Sequence, residues 1–107
     1  MMTLEADPTT PPLEVRRGDL VIDLARLGVL LGSEPIALTY REYALLVSLA
    51  SRAGHVVSRR RLLEEGLGRH DFGGLRMVDE LIRHLKLKLE RNGQALIEEI
   101  EDGYRFA

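Results

Sequence analysis

The stretch Arg76-Met77-Val78-Asp79-Glu80-Leu81-Ile82-Arg83-His84-Leu85-Lys86-Leu87-Lys88-Leu89-Glu90-Arg91 decides how this chain folds. Val78, Leu81, Ile82, Leu85 and Leu89 fall at i, i+3, i+4, i+7 and i+11, which is one face of an α-helix and does not match the alternation of a strand. Arg76, Glu80, Arg83, Leu87 and Arg91 fall on the other face. The spacing predicts a helix over Leu75 to Arg91, buried on one side and charged on the other, that ends at Asn92-Gly93.

Outward from this helix, the chain alternates short elements with turn residues. On the N-terminal side lies a loop from Gly66 to Gly74 that holds Arg69-His70-Asp71-Phe72, with Phe72 expected to anchor it on the core. Before the loop, Ser58 can cap a short helix that opens on Arg59-Arg60-Arg61, continues through Leu62-Leu63 and stops at Gly66 and Gly68. An earlier helix is capped by Thr39, with Glu42 three residues on completing a capping box. It runs to about Arg52, turns Tyr43, Leu46, Val47, Leu49 and Ala50 to the core, and ends at Gly54. Three short apolar runs precede it, Gly18 to Leu24, Leu27 to Leu31 and Ile36 to Leu38, punctuated by Gly28, Gly32-Ser33 and Pro35; they read as an antiparallel meander of three or four strands. After the long helix, Ala95 to Ile100 and Tyr104 to Phe106 read as a hairpin closed by a tight Asp102-Gly103 turn. The segment 1–13, rich in Pro, Thr and acids, is expected to be a flexible tail or linker remnant, and 14–107 the folded domain.

The chain has 107 residues, 45% of them hydrophobic and 30% charged, which suits one compact soluble domain and leaves little room for a deep substrate pocket. The absence of cysteine excludes disulfides, thiolate nucleophiles and Cys-based zinc sites. His55, His70 and His84 show no metal-ligand or catalytic-triad spacing, and Gly66-x-Gly68 and Gly73-Gly74 lack the setting of a nucleotide-binding loop; no enzyme, no metal and no cofactor is expected. No apolar run approaches the ~18 residues of a membrane span, and the N-terminus lacks the pattern of a signal peptide, so a cytoplasmic protein with no membrane partner is expected.

The net charge of −2 conceals a strong polarity along the chain. Residues 1–51 carry four basic against seven acidic side chains, 52–92 ten against six, and 93–107 one against four. A polyanion would meet the middle third. Two helices joined by a loop, the second long and basic on its outer side, followed by a hairpin, form the layout of a winged helix-turn-helix: an α+β fold with an N-terminal antiparallel sheet, three helices and a C-terminal hairpin wing.

Spaced matches along the chain resemble the OmpR/PhoB-type output domain of bacterial response regulators. They are Ile36-x-Leu38-Thr39-x-x-Glu42-x-x-Leu45-Leu46-x-x-Leu49, Gly54-x-Val56-Val57-Ser58-Arg59-x-x-Leu62-Leu63, Arg76-x-Val78-Asp79-x-x-Ile82-Arg83-x-Leu85-x-x-Lys88-Leu89-Glu90 and Gly103-Tyr104-Arg105-Phe106. The resemblance covers about Leu13 to Ala107 and implies sequence-directed promoter binding in a two-component system, with the third helix in a major groove of double-stranded DNA. It also implies contact with RNA polymerase through the 66–74 loop and leaves room for a homodimer. The family's receiver domain has no counterpart within these residues, so a stand-alone regulator and an excised output domain are both open. The chain departs from the pattern in carrying Leu67 where the family usually has Trp, Glu80 and Leu81 where it has Val and His, and an acidic, slightly shorter wing from Ile97 to Asp102.

The expected DNA contacts are Arg59, Arg60, Arg61, Arg76, Met77, Glu80, Arg83, His84, Lys86 and Arg91. Arginine and lysine neutralise phosphates, and Glu80 can accept from the amino group of cytosine. Arg59 to Arg61 stand at a helix N-terminus, where cations oppose the helix dipole and a phosphate partner would account for them. The rival expectation is a degenerate winged helix that binds a basic protein partner, or another copy of itself, through the acidic wing.

Overall fold

In the computed structural model, residues 14–68, 74–91 and 93–107 are described. The expected tail 1–13, the loop residues 69–73 with Phe72, and Asn92 lie outside them. Four strands open the fold, β1 (Glu14–Arg17), β2 (Leu20–Asp23), β3 (Gly28–Leu31) and β4 (Glu34–Pro35), paired antiparallel in chain order. Then follow α1 (Tyr40–Ala50), β5 (Val56–Ser58), α2 (Arg59–Leu62), which widens into a π-turn over Leu63–Leu67, and α3 (Gly74–Leu89). The hairpin strands β6 (Ile97–Ile100) and β7 (Gly103–Phe106) close the chain, and β5 joins them in a second sheet of order β5-β7-β6. This is the expected α+β winged helix-turn-helix, with β5 as an added edge of the wing.

The capping box at Thr39 forms in both directions: the Thr39 amide donates to Glu42 Oε1 at 2.9 Å and the Glu42 amide to Thr39 Oγ1 at 3.2 Å. Ser58 Oγ accepts from the Arg61 amide and starts α2. One core collects β2 and β3 (Leu20, Ile22, Val29), α1 (Leu45, Leu46, Leu49), α3 (Val78, Ile82, Leu85, Leu89) and the hairpin (Ile97, Phe106), all buried. The five apolar positions read from the α3 spacing are the five that α3 buries.

Four boundaries depart from the sequence reading. Ile36 to Leu38 is not a strand; β4 is Glu34–Pro35, and Ile36 follows it as an irregular segment whose amide donates to Val29 O. Glu14–Arg17, polar and exposed apart from half-buried Val15, pairs instead as the outer strand β1 and carries little hydrophobic signal. Leu27, read as the start of the second apolar run, lies instead in the β2–β3 turn in a left-handed conformation (φ 57°), and Gly28 opens β3; Asp23 Oδ1 stabilises the turn by accepting from the Ala25 and Arg26 amides. In the wing the turn is Glu101-Asp102, with Glu101 at φ 49°, while Gly103 is the first residue of β7. Gly103 is required for a different reason: a Cβ there would press into the Val57 carbonyl of β5.

Candidate nucleic-acid interface

Because Val78, Leu81, Ile82, Leu85 and Leu89 are drawn into the core, α3 must turn its remaining face outward. Arg76, Glu80, Arg83 and Leu87 lie along that exposed face, spanning about 16 Å of helix axis at 1.5 Å per residue. Arg76 and Lys86, together with Arg60 on α2, have no ion-pair or hydrogen-bond partner among the described residues. Arg83 approaches Glu80 of the preceding turn at 3.4 Å, a weak surface pair that a phosphate could displace. Between α3 and the hairpin runs an open groove of about 740 Å³ whose lining includes Arg83, Lys86, Leu87, Asp79, Glu99 and Tyr104.

The other expected contacts are placed differently. Arg61 is exposed and shares Glu65 with Arg52, at 3.4 Å and 2.9 Å. Arg91, just beyond the end of α3, pairs with Glu34 of β4 at 3.2 Å. His84 is half-exposed and leans toward α1, with Nδ1 3.8 Å from Glu42 Oε2 rather than out along the Arg76–Arg83 line. Met77 is half-buried and packs on the core, so it helps seat α3.

Arg59, expected on a phosphate, meets three carboxylates of its own chain. Its Nε donates to Asp79 Oδ1 at 2.6 Å, Nη1 to Asp102 Oδ1 at 3.1 Å and Nη2 to Glu99 Oε2 at 2.8 Å, and its guanidinium stands 5.5 Å from the centroid of the Tyr104 ring. The Tyr104 hydroxyl donates to the same Asp79 oxygen at 2.7 Å. Burial would raise the Asp79 pKa, but the hydrogen bonds from Arg59 and Tyr104 bring it below the usual carboxylate value. Burial and the bond to Asp79 push the Tyr104 phenol up to about 12. The hydrogen bonds to Asp79 and Asp102 further raise the already high pKa of Arg59, against the opposing effect of burial.

Several positioning residues escaped the sequence reading. Lys88 turns away from the exposed stripe and donates to buried Glu42 at 2.7 Å, fixing α3 against α1. Glu90 Oε2 accepts from the Leu96 and Ile97 amides at 2.8 and 2.9 Å, fastening the end of α3 to the start of the wing. Asp79 joins α2, α3 and β7. No local spacing announces such pairs, because their partners are brought together by the chain path.

Residues 33–106 match the family described as "Transcriptional regulatory protein, C terminal". The chain belongs to this family. Its relatives include the KDP operon transcriptional regulatory protein KdpE of Escherichia coli K12, 33% identical over 101 residues that make up 92% of this chain and 45% of the relative. The chain thus spans less than half the length of that curated relative. Among solved structures, the RstA DNA-binding domain of Klebsiella pneumoniae, in complex with the RstA box, superposes with a TM-score of 0.76 at 33% identity, covering 88% of this chain and 96% of that one. The response regulator DrrB of Thermotoga maritima, an OmpR/PhoB homolog, gives 0.78 at 34% identity, covering 89% and 44%. The fold is therefore the OmpR/PhoB-type winged helix-turn-helix of bacterial transcription regulators. No helix among the described residues is long and apolar enough to cross a membrane.

Proposed function

We propose that the chain is a sequence-specific regulator of transcription that binds double-stranded DNA in the cytoplasm by inserting α3 into a major groove. The observation that carries this reading is the outward side of α3, where, among the described residues, Arg76 and Lys86 stand without partners and Arg83 meets only the long surface pair with Glu80. The likeness to a DNA-bound relative supports it. Glu80 and Arg83 face base edges, Arg60, Arg76 and Lys86 neutralise phosphates, and Arg61 and Arg91 join them where a phosphate displaces Glu65 or Glu34, while His84 stays beside Glu42. Arg59 and Met77 serve by seating the elements that carry these contacts. The rival reading, an acidic wing that docks on a basic protein, is weakened by the wing itself: Glu98, Glu99 and Asp102 already hold Arg105 and Arg59.

The test is a selection from random duplexes at two salt concentrations, followed by titration of the chosen duplex with the unaltered chain and with Arg83→Glu/Lys86→Glu. A consensus sequence should emerge, and the double variant should lose about a hundredfold in affinity. If no duplex is retained in dilute buffer, or the variant binds as tightly as the unaltered chain, the reading is wrong.

A further inference from the structure

The wing presents Glu98, Glu99, Glu101 and Asp102 on one hairpin, and carboxylates beside a duplex repel its phosphates. Three of the four are engaged within the chain. Glu98 accepts from Arg105 across the hairpin at 2.7 Å, and Glu99 and Asp102 accept from Arg59. Only Glu101 has no partner among the described residues. Arg59 is joined to the wing by its main chain as well, since its amide donates to the Asp102 carbonyl at 3.0 Å. With a side chain 17% exposed, this one residue ties the first turn of α2 to Asp79 on α3 and to both strands' ends at the wing tip. A planar guanidinium with donors at three nitrogens can serve three carboxylates at once, which an ammonium on a flexible stem does not do with the same geometry.

We propose that Arg59 is a positioning residue that acts as the internal counterion of the wing: by holding Glu99 and Asp102 it fixes the hairpin against α3 and lets an acidic wing flank a duplex. The proposal rests on the DNA-binding reading above. It converts the acidity of the wing from an obstacle to DNA into a latch. Removing Arg59 then costs more than one cation, because two carboxylates are released beside the DNA as well.

The experiment compares four variants on the selected duplex and follows hydrogen exchange of the hairpin amides without DNA. Arg59→Gln should lower affinity by about tenfold or more, and adding Glu99→Gln/Asp102→Asn to it should restore most of the loss. With Arg59 intact, Glu99→Gln/Asp102→Asn should change affinity by less than about threefold, and should gain less than the single change Glu101→Gln, which removes the unpartnered carboxylate. Hairpin amides should exchange faster in Arg59→Gln. A gain of about tenfold from Glu99→Gln/Asp102→Asn with Arg59 present, or no rescue of Arg59→Gln, would overturn the counterion role. If Arg59→Gln does not fold, the comparison with Glu101→Gln still decides that role, and Arg59→Lys replaces it in the exchange measurement, where unchanged hairpin protection would overturn the latch. Failure of the unaltered chain to bind any duplex counts against the DNA reading, whereas the exchange measurement judges the latch alone.

Discussion

Glu42 is 2% exposed yet charged, a combination that survives only with full compensation. It accepts from the Thr39 amide and from Lys88, with His84 nearby, and although burial raises its pKa, these partners bring it below its ordinary value of 4.5. Asp79 is likewise depressed from 3.8. A carboxylate whose folded pKa is lowered binds fewer protons in the native state, so the stability it contributes is complete above its ordinary value and is lost as pH falls through the folded one. Unfolding measured by urea from about pH 7 down to about pH 3 should therefore show a fall in stability that begins below about pH 5. Glu42→Gln should cost about 1–2 kcal/mol near neutrality, discounted because Lys88 is part-exposed, and less at the acid end. An equal cost at both ends would mean that shape, not charge, makes Glu42 matter. The capping box was legible from Thr39 and Glu42 because they are three residues apart. The partner Lys88 was not, since it lies 46 residues away.

At the scale of elements, the wing depends on a close approach that no periodicity records. Gly103 has β5 backbone against it where a side chain would begin, so Gly103→Ala should destabilise the domain by about 1–3 kcal/mol in equilibrium unfolding. Gly28→Ala, at a strand position with open space and an ordinary φ, should stay within about 1 kcal/mol of the unaltered chain. Equal losses would show that chain flexibility rather than crowding governs both. The α3 helix was readable to its last buried residue, as its five core positions repeat with the helical turn. Strands were less readable. β1 has a polar, exposed sequence apart from Val15, and β5 has three residues, so neither could be told from a loop without its pairing partner. The π-turn after α2 brings Gly66 against Leu45 of α1, so that glycine reflects packing and not the end of a helix.

Over the whole molecule, the acidic ends of the sequence fold back onto its basic middle. Glu34 meets Arg91, Glu42 meets Lys88, and Glu99 and Asp102 meet Arg59, leaving Arg60, Arg76 and Lys86 without a partner among the described residues. The field offered to DNA is accordingly narrower than ten basic residues suggest. With about four phosphates neutralised, affinity should fall roughly a hundredfold between 50 and 200 mM salt, read as the slope of log affinity against log salt. A flat dependence would exclude phosphate neutralisation as the main source of binding.

The amino-acid sequence by itself determined the helices, the N-terminal caps of α1 and α2, the hairpin and the outward stripe of α3, because each depends mainly on residues within about four positions. The tertiary structure alone decided which charges remain available. Arg59, Arg61 and Arg91 look alike in sequence, yet Arg59 is drawn among carboxylates 20, 40 and 43 residues away, Arg91 toward one 57 away, and Arg61 toward a neighbour on the next turn. Electrostatic energy follows distance in space, and that distance is set only when the sheet, the helices and the wing have packed around one core.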